Sequence, residues 1–118
     1  MTIRARAWLV VLVAASAASA ARAETAPAAP AAATVYTIKL EHFMFGPATA
    51  RVAVGTVVRW QNLDGEPHTV VSVDGLFRSG ALDQGEGFAF RFERPGTYRY
   101  VCSIHPQMVG TVVVTASR

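Results

Sequence analysis

The stretch YRYVCSIHPQMVG, residues 98–110, decides how the chain is read. Tyr98, Tyr100 and Cys102 alternate with Arg99 and Val101, the period-two pattern of a half-buried strand. Cys102 therefore ends a strand on its inward face. A histidine follows at 105 and a methionine at 108, and Gly110 leads into the β-branched run Thr111 to Thr115. Ser103 to Val109 reads as a tight end loop that can aim thiol, imidazole and thioether at one centre with little further chain ordering.

Outward from this loop the same period recurs. Tyr36, Ile38 and Leu40 share a face, as do Val58, Trp60 and Asn62, then His68, Val70 and Ser72, then Phe88, Phe90 and Phe92. Gly46-Pro47, Asp64-Gly65, Asp74-Gly75, Gly85-Glu86-Gly87 and Arg94-Pro95-Gly96 separate the runs with turn chemistry. No window carries a helical period. Six to eight short strands at near-regular spacing predict a single all-β domain, an antiparallel sandwich or barrel of roughly immunoglobulin size.

The N-terminus has a different character. Arg4 and Arg6 precede the apolar run Trp8 to Ala15, and Ala21-Arg22-Ala23 matches the small-residue pattern of a signal peptidase site. The apolar part, about 15 residues, is short of the roughly 20 that a spanning helix needs. Residues 1–23 are expected to be a cleaved Sec-type export signal, with Ala18-Ser19-Ala20 as a second candidate site. Residues 24–34, Ala/Pro-rich and without apolar period, are expected to be a spacer, and residues 35–118 the folded domain. Export implies a periplasmic protein with no stable membrane insertion after cleavage. With three of the eleven basic residues (Arg4, Arg6, Arg22) in the leader, eight basic and eight acidic residues remain. The sequence pI near 9.6 therefore belongs to the precursor, and no basic stripe points to nucleic acid.

Cys102 is the chain's one cysteine, so no intrachain disulfide can staple a domain of roughly 80 residues. A metal can. Cys102, His105 and Met108 want a further donor from another strand end. His68 opens a β-run after the polar loop Asn62 to Pro67, the mirror of Cys102 closing one, and in antiparallel neighbours the two fall at the same end of the sandwich. His42 is expected at the surface and Met44 in the core or at its rim. Thiolate and thioether suit Cu(I), and imidazole suits both oxidation states of copper. Zinc gains little from a thioether, and calcium or magnesium would need oxygen ligands. A His₂Cys set with a long axial Met serves electron transfer and leaves no open position for a substrate.

On these residues the chain resembles the cupredoxins, the type 1 blue copper proteins, and within them amicyanin and its pseudoazurin and plastocyanin relatives. The matching stretches are FMFGP (Phe45, Pro47), VGTVVRWQN (Gly55, Val58, Trp60, Asn62), His68, PGTYRYVC and GTVVV. The short Cys102-x-x-His105-x-x-Met108 spacing is amicyanin-like. The resemblance implies a Greek-key β-sandwich of about seven or eight antiparallel or mixed strands. It implies one type 1 copper held by His68, Cys102 and His105 equatorially and Met108 axially, with Asn62 bracing the ligand loops. It also implies a non-enzymatic, monomeric electron carrier. Electrons would pass through His105 to redox proteins docking near His105, Pro67 and Pro106. A c-type cytochrome, a quinoprotein or other dehydrogenase, or a copper enzyme would fit that role. The alternative is a copper carrier or sequestration protein in metal homeostasis.

Overall fold

The structure, a computed structural model, describes residues 7–19 and 33–116. The chain divides into two compact units, Met1–Pro30 and Ala31–Arg118. In the first, residues 7–19 are exposed and carry no helix or strand. No helix among the described residues is long and apolar enough to cross a membrane. The expected cleavage sites after Ala20 and Ala23, and residues 24–32 of the expected spacer, lie outside the described residues.

In the second unit eight strands form two four-stranded sheets. In chain order they are β1 (Val35–Glu41), β2 (Met44–Gly46), β3 (Thr49–Ala53), β4 (Val57–Asn62), β5 (Val71–Ser72), β6 (Gly87–Arg91), β7 (Gly96–Val101) and β8 (Val109–Thr115). One sheet runs β2-β1-β4-β6 and the other β3-β8-β7-β5. The all-β sandwich is as expected, and its sheets are mixed, one of the two arrangements the resemblance implies. β1 pairs with β4 in parallel, and β3 with β8 likewise. The reason is that the chain changes sheet between β2 and β3, so each parallel pair is joined through a long crossover and not a hairpin.

Alternation fixes which faces pack. Ile38 and Leu40 on β1, Val58 and Trp60 on β4, Tyr100 on β7, and Val112 and Val114 on β8 are all buried. The outward positions between them, such as Lys39, Arg59 and Arg99, are exposed. Trp60 anchors the interior: its ring centroid lies 5.3 Å from Tyr100 and 5.4 Å from Phe77. Burying each such side chain contributes roughly 1.5–3 kcal/mol or more.

Tyr100 lies opposite Gly110 in the β7–β8 register, and a Cβ at Gly110 would overlap its ring. Glycine is needed there for space rather than for a special backbone angle. Gly110→Ala is expected to destabilise the domain by about 1–3 kcal/mol, as overpacking does, read as a lower denaturation midpoint. An unchanged midpoint would mean that Tyr100 can move aside freely.

This packing leaves one end of the sandwich to build the site. There the ends of β1, β4 and β7 meet the start of β8. The 63–70 segment and the 80–86 loop lie beside them, tied by Asn62 N–H to Glu86 O at 2.9 Å and His68 N–H to Leu82 O at 3.1 Å.

Candidate metal centre

Cys102 follows the last residue of β7 and is fully buried. Its loop is closed by two backbone bonds, Cys102 N–H to Met108 O at 3.1 Å and Met108 N–H to His105 O at 2.9 Å. The loop is therefore as tight as expected. It leaves Met108 buried and His105 partly exposed. His68 is fully buried and held by a two-bond bridge to Leu82. β5 pairs antiparallel with β7, Val71 opposite Val101, which carries His68 to the same end as Cys102.

Three donor atoms face one another. His68 Nδ1 lies 3.2 Å from His105 Nδ1, and Cys102 Sγ lies 4.0 Å from the first and 3.9 Å from the second. A point equidistant from the corners of that triangle is about 2.2 Å from each, the bond length of nitrogen and sulfur donors to first-row ions. Orientation agrees with this. His68 Nε2 is 2.8 Å from Asp64 Oδ2. An imidazole that donates there presents the Nδ1 lone pair to the centre. These donors, one soft thiolate and two imidazoles with a buried thioether closing the loop, fit copper.

The thiol is prepared to ionise. Burial pushes Cys102 up, but backbone N–H groups of Thr69, His105 and Ile104 and the Thr69 hydroxyl outweigh it, bringing the value down from 9.0 to about 6. Thr69 N–H lies 3.3 Å from Sγ. A folded-state value below the unfolded one adds stability that is complete above the unfolded value and is lost as pH falls through the folded one. The metal-free protein should lose this contribution between about pH 9 and pH 6. Its thiolate absorbance should titrate near 6, and Cys102→Ser should remove that segment of the stability profile. A midpoint near 9 would mean that the N–H groups do not serve the sulfur.

Three residues of the site escaped the sequence reading. Asp64 accepts from His68 and also from the backbone N–H groups of His42 and Phe43, at 2.8 and 2.9 Å. Those two residues hold positive φ, 56° and 57°, in the β1–β2 turn. Phe43 sets its ring edge-on to both imidazoles of the triangle, with centroids 5.2 Å from His68 and 5.1 Å from His105. Thr69 is the side chain beside the sulfur, and its Oγ1 accepts from Ser103 N–H at 2.7 Å. Asn62, expected to brace the ligand loops, donates to Glu66 O and Leu82 O at 2.8 and 2.9 Å and accepts from Asp64 N–H at 3.0 Å. These bonds tie down the segment that carries His68, while the sulfur is served by Thr69. The exposed His42 lies 3.9 Å from Glu41 and is not one of the three clustered donors. Met44 is 60% exposed, a rim position.

The fold and this donor set together define a cupredoxin: residues 6–114 match the family model of the cupredoxin-like domain, and the chain belongs to that family. Within it the chain is amicyanin-like. It is 33% identical to amicyanin-alpha of Methylorubrum extorquens over 82 residues, 65% of this chain and 69% of that one. It is 38% identical to the amicyanin of Paracoccus denitrificans, over 53% of this chain and 52% of that one. The chain thus spans about half the length of the second of these relatives. Among solved structures, a purple cupredoxin from Nitrosopumilus maritimus superposes with a TM-score of 0.62 at 35% identity, over 67% of this chain and 98% of that one. A reduced amicyanin variant superposes with a TM-score of 0.67 at 27% identity, over 71% and 85%. A copper nitrite reductase from Thermus scotoductus superposes at 0.66, but over 23% of its own chain. The cofactor is type 1 copper.

Proposed function

We propose that the protein is an exported, periplasmic electron carrier in which His68, Cys102, His105 and Met108 would hold copper. The observation that carries this reading is the triangle of His68 Nδ1, His105 Nδ1 and Cys102 Sγ, with edges of 3.2–4.0 Å. Bound copper supplies a one-electron couple between Cu(II) and Cu(I). The chain's part is to hold the donors in one arrangement for both states. Asp64 fixes the His68 ring, and the Thr69, Ile104 and His105 amides keep the sulfur ionised. The closed 102–108 loop keeps its ligands from spreading when charge changes. His105, partly exposed, is the port through which electrons enter and leave, and Pro67 and Pro106 border it. The physiological partners are redox proteins such as a c-type cytochrome, a quinoprotein dehydrogenase or a copper enzyme. The domain spans residues 35–118, acts as a monomer, and follows a signal peptide of residues 1–23 and a spacer of residues 24–34.

The test is electrochemical. The copper-loaded protein should give a reversible one-electron couple and an intense visible thiolate-to-copper band. Met108→Leu should keep the band and shift the potential, because an axial thioether tunes the couple without making the colour. An unshifted potential would remove Met108 from the ligand set, and the absence of any reversible couple would end the carrier reading.

A further inference from the structure

The end of the sandwich remote from the metal contains a hollow that electron transfer leaves without a role. Its origin is the unequal length of two edge strands. β6 edges one sheet as far as Arg91, opposite Val57. β5 edges the other for two residues only, pairing with Val101 and Tyr100 in the half of β7 nearer the metal. It stops at Ser72, and the turn through Asp74-Gly75-Leu76 takes over. That turn covers less than a strand would. Phe77 is buried against Phe90, with centroids 5.0 Å apart, yet Phe90 stays half-buried and Leu76 is 47% exposed. A cavity of about 320 Å³ results, walled by Leu76, Phe90, Phe92 and Tyr98. Sites for small organic molecules begin at about this size and are walled in the same way, by apolar and aromatic side chains with a few polar groups.

The walls are held in place. Phe92 lies 5.1 Å from Phe90 and 5.0 Å from Tyr98, centroid to centroid. Tyr98 Oη donates to Arg94 O at 2.7 Å, which ties the Arg94-Pro95-Gly96 turn to the aromatic wall. Rings packed in this way present faces and edges to a guest, and a planar aromatic body meets both. Four charged residues complete the lining, and three of them are engaged. Arg91 Nε lies 3.9 Å from Glu93 Oε1, and Asp74 Oδ1 accepts from Leu76 N–H at 3.2 Å. The Arg94 guanidinium has no ion pair or hydrogen bond among the described residues. A guanidinium is a planar fork of donors that fits a carboxylate bidentately.

We infer that this hollow is a binding site for a small aromatic carboxylate, its ring seated among Phe90, Phe92 and Tyr98 and its carboxylate on Arg94. β7 runs from this end to the metal, six residues or roughly 20 Å, so the site is separate from the copper ligands and does not rest on the electron-carrier reading. A neutral aromatic would leave Arg94 unused and a cationic one would be repelled by it, so the site selects by charge as well as by shape.

The probe is 2-naphthoate, titrated into the copper-loaded protein kept reduced and followed by calorimetry and by backbone amide NMR. Binding should saturate at one equivalent with a Kd below about 1 mM. The neutral 2-naphthalenemethanol should bind about tenfold more weakly, and the cationic 2-naphthylmethylammonium more weakly still. Arg94→Gln should bring naphthoate down to the level of the alcohol and leave the alcohol unchanged, and Arg94→Lys should recover part of the difference. Leu76→Asp, which sets a carboxylate at the mouth from an exposed position, should abolish naphthoate binding. Amide signals of Leu76, Glu93, Arg94 and Tyr98 should move on titration, while those of Phe43, Ile104 and His105 stay. Absence of saturable binding would overturn the site. Equal affinity for acid and alcohol, or full naphthoate affinity in Arg94→Gln, would overturn the carboxylate on Arg94. Shifts confined to the metal end would overturn its place in the fold.

Discussion

Cys102→Ser is expected to abolish the intense visible band of the copper-loaded protein and to lower copper affinity more than about 100-fold. Cys102 Sγ is the one sulfur in the His₂Cys triangle and the chain's one thiol. A serine hydroxyl at that place is harder, stays protonated at neutral pH, and has no filled orbital that gives a low-energy transition to copper. The fold should survive, because serine is nearly isosteric and Thr69 N–H can donate to its oxygen as it does to sulfur. Visible absorption and a competition titration check the two effects, and circular dichroism of the metal-free variant checks the fold. His42→Ala is the internal control. The His42 side chain is exposed at the β1–β2 turn and paired at most with Glu41, and its backbone N–H to Asp64 survives the substitution, so band and affinity should remain. A band that persists in Cys102→Ser would mean that the colour does not come from a thiolate.

The reason Cys102 could be singled out from sequence is that strand period and ligand chemistry are both local. Tyr98 and Tyr100 alternate on β7 and Cys102 continues the alternation one residue past its end, and the 105 and 108 positions follow on one loop. His68 was legible for a related reason: a histidine that opens a β-run after a polar loop must stand at a sheet end. The surrounding residues were not legible, because nothing nearby in sequence marks them. Asp64 sits in an ordinary turn dipeptide, Asp-Gly, and its role depends on His42 and Phe43, which reach it from another strand pair. Phe43 reads as one more aromatic until the turn places it over two imidazoles. Thr69 faces Cys102 from 33 positions away. The parallel pairs β1–β4 and β3–β8 escaped for the same reason, since alternation shows which face is buried but not which neighbour it meets.

Asp64→Ala is expected to lower stability by roughly 2–4 kcal/mol and copper affinity by about 10–100-fold, because one carboxylate holds two parts of the site. It accepts from His68 Nε2, which keeps Nδ1 facing Cys102 and His105, and from two successive amides of a left-handed turn, which holds Phe43 over both rings. Its removal leaves those exposed turn amides to water, loosening the turn, and frees His68 to rotate. Asp64→Glu should recover part of the affinity if the negative acceptor matters, whereas Asp64→Asn keeps one acceptor and places an N–H donor where two donors already point. The pH dependence separates this from simple packing. Burial raises the Asp64 value, but the bonds from Phe43, His68 and His42 outweigh it and hold the carboxyl below its ordinary 3.8. A depressed value means that its contribution is complete above the unfolded value and is lost as pH falls through the folded one. The wild-type protein should therefore lose stability on acidification below about 3.8 more steeply than Asp64→Ala. Parallel acid limbs in the two proteins, measured by denaturation midpoint, would show that the carboxylate carries no charge-assisted bonds and that Ala costs only contact.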